Sequence, residues 1–241
     1  FKLNKPIVLV IMAGRPINVT EYLDELDALL MMWHPGTMGG PALEKMLFGE
    51  AEPSGRLPVS WPKAAGQLPY FYNHKSTGRP ANPEKYVGID DIPVGAWQRS
   101  LGNESHYLDY GFTPLFPLGY GLSYSELEYG SIEVSDTKIA EGKSIDLSIT
   151  VRNKGSRATT EVVQMYVQDK VGRITRPIRE LKRFEKVQLA AGEEKSISFS
   201  LNYDDFRYYD NKGILAVEAG EIVLYIGSNS SATNQVMIRI E

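Results

Sequence analysis

The chain has 241 residues, of which 42% are hydrophobic and 23% are charged, and its formal net charge is −4. This composition is typical of a globular protein, and its scattered Lys and Arg residues argue against binding to nucleic acid or to an anionic membrane. Cysteine is absent, which excludes disulfides, thiolate nucleophiles and cysteine zinc sites. The three histidines lack metal-ligand spacing, so neither a metal nor another cofactor is expected.

The first 70 residues predict part of an α/β domain. Residues 6–12 (PIVLVIM) are β-branched and continuously apolar, as in a parallel strand that is buried on both faces. A short helix capped by Thr20 follows, and residues 28–33 form a second buried apolar run. A helix over residues 39–48 is expected to stop at Gly49. This order of elements predicts parallel strands with helices on the sheet.

Residues 71–121 predict a long connecting segment. Proline and glycine recur in it, but it is also rich in aromatic residues, which disordered linkers lack. We therefore expect packing of the aromatic side chains to order it. These are Tyr70, Phe71, Tyr72, Tyr86, Trp97, Tyr107, Tyr110, Phe112 and Phe116.

From about residue 122 the hydrophobic pattern has a period of two, and turn signals with glycine separate the runs. About seven short antiparallel strands over residues 122–241 predict a two-sheet sandwich. The alternating apolar positions are Ile145, Leu147, Ile149 and Val151, then Val163, Met165 and Val167, then Ile197, Phe199 and Leu201, then Ile222, Leu224 and Ile226, and finally Val236, Ile238 and Ile240.

Five segments along the chain have the character of family motifs. They are residues 5–16 (KPIVLVIMAGRP), 33–62 (WHPGTMGGPALEKMLFGEAEPSGRLPVSWP), 76–80 (STGRP), 116–124 (FPLGYGLSY) and 176–187 (RPIRELKRFEKV). In this order they resemble glycoside hydrolase family 3. The STGRP segment is similar to the bacterial periplasmic β-glucosidase branch of the family. Because the ordered set runs through nearly the whole chain, it is far more specific than any single segment.

The resemblance implies a fold class of α/β plus all-β. Residues 1–70 are then the C-terminal part of an α/β sandwich domain with parallel strands. Residues 71–121 are the ordered connecting loop, and residues 122–241 are a fibronectin type III-like β-sandwich.

The implied activity is that of a retaining β-glucosidase acting on terminal non-reducing β-D-glucosyl residues. Such enzymes use two carboxyl groups about 5–5.5 Å apart. In the family the nucleophile is an Asp on an N-terminal barrel, and the acid/base is a Glu in the preceding α/β segment. Both are expected upstream of Phe1, which we interpret as a cut or processed end. No catalytic residue is therefore expected in this chain, and the fragment alone should be inactive.

Carboxylates within the chain are interpreted as solvated turn or cap residues rather than substitutes for the missing pair. They are Glu50, Glu52, Asp90, Asp91, Glu104, Asp204 and Asp205.

Sugar contacts are expected from the connecting loop instead. The candidate substrate-binding residues are Asn73, His74, Lys75, Thr77, Arg79 and Trp97. Their donors suit sugar hydroxyls, and the rings of Tyr72 and Trp97 are suited to stack on a pyranose face. The alternative is a loop that wraps its own domain or the partner in a homodimer, with Arg79 in a structural ion pair.

Two further motif positions have structural interpretations. Arg56 is expected to anchor its loop to the body of the protein, and Trp33 to lie in the core. The glycine-rich turn over residues 33–40 either forms a wall near the sugar cleft or permits close helix–sheet packing.

The same motifs fit a β-xylosidase or an enzyme acting on xyloglucan oligosaccharides, and a stand-alone carbohydrate-binding or interaction module is the alternative from another class. The expected partners are a β-linked oligosaccharide substrate and the missing N-terminal barrel and upstream α/β segment. The expected location is periplasmic or secreted.

Overall fold

A computed structural model describes residues 5–82, 84, 86–97 and 106–241. The described residues divide into two compact units, each assembled from three stretches of chain. The first, here called the α/β unit, comprises Phe1–Glu52, Ser60–Tyr70 and Arg79–Phe116. The second, the sandwich unit, comprises Pro53–Val59, Phe71–Gly78 and Pro117–Glu241.

Two parallel strands and one α-helix form the regular structure described in the α/β unit. Strand β1 (Val8–Ile11) pairs with β2 (Ala28–Met31), and a 3-10 helix at Thr20–Glu25 connects them. Helix α1 (Gly39–Leu47) follows, and Gly49 after its end has a φ of 74°. The left-handed conformation at Gly49 ends the helix, as the sequence predicted. The predicted parallel pairing is confirmed.

Three local expectations for this unit were wrong. Thr20 does not cap its helix, because its hydroxyl donates to the Lys63 carbonyl at 2.6 Å. Strand β1 is not buried on both faces, since Val8 is 43% exposed and only Ile11 is buried. The second apolar run, residues 28–33, is not buried either, since Ala28 is exposed and Trp33 is half-buried rather than a core residue. A sheet of two strands leaves much of its surface uncovered, however apolar its sequence.

The sandwich unit contains two main sheets. One has three strands in the order β3-β5-β8, and the other has five in the order β4-β12-β11-β6-β7. All their pairings are antiparallel except β4 with β12. A small hairpin pairs β9 with β10. The bounds are β3 Leu127–Val134, β4 Lys138–Ile139, β5 Ser144–Asn153, β6 Thr159–Asp169, β7 Glu180–Leu189, β8 Glu194–Asn202, β9 Tyr208–Tyr209, β10 Leu215–Ala216, β11 Gly220–Gly227 and β12 Gln235–Ile240.

The core of this unit contains the alternating apolar residues that the sequence identified, except that Val236 is only partly buried. It also includes Ile139, Val187, Leu189 and Phe206. Leu147, Val151, Leu201 and Leu224 are at most 1% exposed, and side chains of both sheets belong to this cluster. Removal of this apolar surface from water is the main stabilising contribution. The fold class, α/β with parallel strands plus an all-β sandwich, is confirmed.

Strands β6 and β11 are buried on their second face as well. Gln164 and Tyr166 lie between the core residues Val163, Met165 and Val167, yet they are 4% and 0% exposed. Tyr72 and Leu118 from the connecting stretches pack against Tyr166 on this face. The alternating pattern therefore does not distinguish a buried face from a solvent-exposed face in this strand.

Candidate functional site

The stretch Phe71–Gly78 is anchored to the sandwich unit through Tyr72. The Tyr72 ring meets Tyr166 edge to face at a centroid distance of 6.3 Å. Its hydroxyl accepts a hydrogen bond from the Leu181 amide at 3.1 Å, at the start of β7. Tyr72 thus has a packing role, which argues against the sugar-stacking role suggested for it by sequence.

Four of the predicted site residues follow this anchor. The His74 carbonyl accepts from the Ile178 amide at 2.9 Å, and Lys75 forms an isolated β-bridge with Pro177. These backbone contacts fix the path of the chain while the side chains of His74, Lys75 and Thr77 remain exposed and Asn73 is half-buried. The arrangement presents several polar groups from a held backbone, which lowers the entropy cost of binding a ligand.

The other two predicted residues, Arg79 and Trp97, belong to the α/β unit and are exposed. Trp97 is 83% exposed and follows a tight turn in which the Ala96 amide donates to the Pro93 carbonyl at 2.9 Å. Gly95 has a φ of 78°, which this turn requires. The six candidates are therefore divided between the two units, and their role in sugar binding stays a prediction.

The glycine-rich turn before α1 contains one position where close packing requires glycine. A Cβ at Gly39 would come within 2.6 Å of the Pro35 Cβ, whereas a Cβ at Gly40 would meet nothing within 4 Å. Glycine at position 39 is therefore required by a contact within the turn itself, and the choice between a cleft wall and close helix–sheet packing stays a prediction. Trp33, which begins the turn, has a φ of 53°, an uncommon conformation for a bulky residue.

The carboxylates that the sequence assigned to turns and caps have varied surroundings. Glu50 and Asp90 are exposed, and Glu52 is half-buried. Asp91 accepts from the Gly88 amide at 2.9 Å, and Asp204 pairs with Arg207 at 2.7 Å. Glu104 lies outside the described residues.

Asp205 is more than a cap residue. It accepts from the Asn202 amide at 2.9 Å, and both of its oxygens bond Arg183 at 2.8 and 2.7 Å. Both oxygens accept from the same nitrogen, Arg183 Nη2, so this carboxylate is held in a structural ion pair rather than available as a catalytic acid.

A deeply buried ion pair joins Arg56 to Glu161. Their Nη2 and Oε2 atoms are 2.9 Å apart, and the side chains are 5% and 3% exposed. Arg56 also donates to the Gly55 carbonyl at 2.9 Å. Burial, reinforced by the negative charge of Glu161, raises the pKa of the neighbouring Tyr129 far above its ordinary value. The expected anchoring role of Arg56 is confirmed, although its partner could not be named from sequence.

The motif over residues 176–187 supplies three further structural arginines. The Arg176 guanidinium lies 4.0 Å from the centroid of Tyr208 and pairs with Asp169 and Glu180 at 3.3 and 3.1 Å. Arg179 donates to two carbonyls at 2.7 Å and lies over Tyr225 at 3.8 Å. Together with the Arg183–Asp205 ion pair, these contacts are those of a motif that holds the sandwich unit together.

A cleft of about 380 Å³ in the α/β unit was missed by the sequence analysis. It is lined by residues from three stretches, namely Lys63, Tyr86, Asp109, Tyr110, Gly111, Phe112 and Thr113. The tyrosines and Phe112 were expected only to order the loop. Lys63 and the lining residues within 109–113 are about 45 positions apart, and such a contact leaves no periodic pattern in the sequence. The aromatic residues and the glycine within 107–113 are the sequence signal that could have indicated the cleft.

The fold alone does not define a function, but comparison with known proteins shows the family. Residues 1–124 match the glycosyl hydrolase family 3 C-terminal domain, and residues 161–230 match a fibronectin type III-like domain. The chain belongs to glycosyl hydrolase family 3.

Individual relatives match nearly the whole chain. A periplasmic β-glucosidase of Salmonella typhimurium is 36% identical over 96% of the chain, and a β-xylosidase of Formosa agariphila is 32% identical over 96%. The crystal structure of a Listeria innocua β-glucosidase in complex with isofagomine superimposes with a TM-score of 0.88 at 37% identity, over 99% of the chain. The chain covers only 28%, 29% and 32% of these proteins, respectively.

Proposed function

We propose that the chain is the C-terminal portion of a retaining β-glucosidase that hydrolyses terminal non-reducing β-D-glucosyl residues. The observation that carries this proposal is the match of 99% of the chain to the Listeria innocua β-glucosidase with a TM-score of 0.88. The 36% identity to the Salmonella periplasmic β-glucosidase supports the same activity.

The catalytic carboxyl groups are proposed to lie outside the chain, on the N-terminal barrel and the upstream α/β segment. Retaining hydrolysis requires a nucleophile and an acid/base about 5–5.5 Å apart. The buried Glu161 is engaged by Arg56, and Asp205 is engaged by Arg183. A carboxylate held by an arginine at close range is a poor nucleophile and a poor proton donor, because the ion pair stabilises its charged form.

Substrate contacts are proposed for the six exposed or half-exposed residues of the loop: Asn73, His74, Lys75, Thr77, Arg79 and Trp97. The backbone anchors at His74 and Lys75 support this role, because they fix the chain without using most of the side-chain donors. The competing interpretation, a loop that contacts a homodimer partner, predicts that the same residues control association instead.

The test uses the longer protein with an aryl β-D-glucoside and a gluco-oligosaccharide. Replacing His74 with Ala is expected to raise KM for the oligosaccharide about 3–10-fold with little change in kcat, because uniform binding is lost. Lys212→Ala, at an exposed turn, is the matched control. Absence of glucoside hydrolysis by the longer protein overturns the proposed activity. A normal KM, combined with weakened dimerisation in sedimentation, favours the homodimer role.

A β-xylosidase or a xyloglucan-oligosaccharide hydrolase is the second candidate, supported by the 32% identity to the Formosa β-xylosidase. The ratio of kcat/KM for aryl β-D-glucoside and aryl β-D-xyloside separates the two. A stand-alone carbohydrate-binding module is the alternative from another class. It predicts that the 241-residue chain alone is folded and binds gluco-oligosaccharides without hydrolysing them.

A periplasmic or secreted location is proposed from the name of the Salmonella relative. Among the described residues, no helix is both long enough and apolar enough to cross a membrane. Release of the protein from intact cells by osmotic shock, or its presence in the medium, is the expected result. Retention with cytoplasmic markers contradicts the proposal.

A further inference from the structure

The cleft in the α/β unit has a volume of about 380 Å³, which falls within the usual range of small-molecule sites. That volume is sufficient for a pyranose ring with its hydroxyl groups. The lining combines one cation, one anion and three aromatic rings, and nothing described above uses it.

The charged groups of the cleft favour a neutral polar ligand. Lys63 donates to the Thr113 hydroxyl at 3.0 Å and to the Tyr110 carbonyl at 3.4 Å. An ammonium group has three N–H donors, so these contacts use two of them. Asp109 is exposed and supplies carboxylate oxygens as acceptors. A donor and an acceptor of opposite charge suit hydroxyl groups, which both donate and accept, whereas an anion would be repelled by Asp109.

The aromatic groups supply an apolar face. Tyr86 is 38% exposed, its hydroxyl donates to the Leu108 carbonyl at 3.1 Å, and its ring meets His106 edge to face at 5.3 Å. Tyr110 and Phe112 are half-buried and line the same cleft. The C–H face of a pyranose is apolar and is removed from water when it packs on such rings.

The cleft is preformed by hydrogen bonds beneath its surface. Gln67 is 2% exposed, accepts from the Lys63 amide at 2.7 Å and donates to the Thr113 carbonyl at 3.3 Å. The Tyr70 hydroxyl donates to the Phe112 carbonyl at 2.9 Å. These bonds hold both sides of the cleft in place before any ligand arrives, which reduces the ordering cost of binding.

We propose that this cleft binds a neutral pyranoside, with Lys63 donating to one hydroxyl, Asp109 accepting from another, and an aromatic ring packed on the sugar face. The neutral pyranoside is inferred from the residues that line the cleft. Only the choice of a glucoside as its natural form rests on the proposed function.

The experiment measures binding of the S-linked, hydrolysis-resistant thiocellobiose to the longer protein by titration calorimetry and saturation-transfer NMR. Lys63→Met keeps the aliphatic stem and removes the donor, and Asp109→Ala removes the acceptor. Each is expected to weaken thiocellobiose binding about tenfold, the usual size of a lost hydrogen bond to a charged group. Asp24→Ala, an exposed acidic position in the same unit, is the matched control and should bind as wild type.

Glucose 6-phosphate serves as the anionic probe and is expected to bind no better than glucose. Binding of thiocellobiose by both cleft variants within twofold of wild type overturns the proposal, as does preference for the phosphorylated sugar. If the longer protein binds thiocellobiose in a manner dependent on Lys63 but hydrolyses no glucoside, the cleft assignment stands and the proposed hydrolase activity fails.

Discussion

Strand β1 and strand β6 show opposite outcomes for two simple hydrophobic patterns. Strand β1 is continuously apolar, yet Val8 is 43% exposed because its sheet has two strands. Strand β6 alternates apolar and polar residues, yet Gln164 and Tyr166 on its second face are buried. The comparison teaches that a pattern specifies which side chains tolerate burial, whereas the surrounding chain decides which are covered.

The largest expected effect is at the buried ion pair between Arg56 and Glu161 of β6. Arg56→Met leaves the Glu161 carboxylate buried without its partner and is expected to lower the free energy of unfolding by about 3–5 kcal/mol. Urea denaturation followed by circular dichroism measures the change.

Two comparison variants sharpen this prediction. Lys154→Met breaks a pair whose side chains are 44% and 76% exposed and should cost less than about 0.5 kcal/mol. Replacing both Arg56 and Glu161 with Met should recover most of the loss, because no charge is then left buried. Equal effects of Arg56→Met and Lys154→Met contradict the burial argument.

The next largest effect is the loss of stability when an apolar side chain is truncated, compared between a strand of each unit. Leu224→Ala in the sandwich core, where Leu224 is 0% exposed, is expected to cost about 2–5 kcal/mol. Val8→Ala in β1 of the 241-residue chain should cost well under about 1 kcal/mol, because Val8 is partly in water already.

The stability cost of Val8→Ala depends on whether other strands cover β1. If further strands cover β1 in the longer protein that we propose, Val8→Ala should cost about 2 kcal/mol there. An equal, small cost in both forms of the protein shows that β1 stays uncovered.

A smaller effect is expected at Gln164. Its amide donates to the Gly119 carbonyl at 3.2 Å and to the Ser228 carbonyl, and it accepts from the Tyr166 hydroxyl at 2.6 Å. Gln164→Leu leaves these groups without a partner and should cost about 1–3 kcal/mol by urea denaturation. Gln188→Leu, an exposed position on β7, is the control and should stay within about 0.5 kcal/mol of wild type.

The smallest effect is a pH dependence in the α/β unit. Burial, with a contribution from Tyr107, raises the pKa of Tyr70 from 10.0 to about 12. Folding therefore favours the neutral phenol. The stabilisation is fully present below pH 10 and is lost as the pH rises from about 10 towards 12.

Urea midpoints at pH 8 and pH 11 test this dependence. Tyr70→Phe should show a smaller fall between the two pH values than wild type. Tyr209→Phe, at a side chain that is 63% exposed, should fall as wild type does. A fall in Tyr70→Phe as large as that of wild type means that other groups account for the alkaline loss of stability.

Much of the fold was predictable because its signals are local. The period of two located the core residues of the sandwich, and Gly49 marked the end of α1 through its left-handed conformation. The anchoring role of Arg56 was also predictable. It lies in a loop segment between two prolines, and a side-chain contact with the body of the protein holds such a segment in place. The family resemblance added the order of the two parts.

The site was less predictable because it depends on contacts between distant residues. Tyr72 was assigned to sugar stacking, but Tyr166 and Leu181, about 100 positions later, hold it in packing. The cleft joins Lys63 to Thr113, and no local pattern connects them. Thr20 donates to Lys63 rather than capping its own helix for the same reason.

The sequence by itself determined the class of each part of the protein, because residue preferences and periodicity act over a few neighbouring positions. It determined the sandwich core, the parallel pair and the end of α1. Only the tertiary structure decided which polar residues became buried and which loops formed a cleft. The partners of Arg56, Gln164 and Lys63 are 105, 45 and 50 positions away, and chain folding alone brings such groups within hydrogen-bond distance.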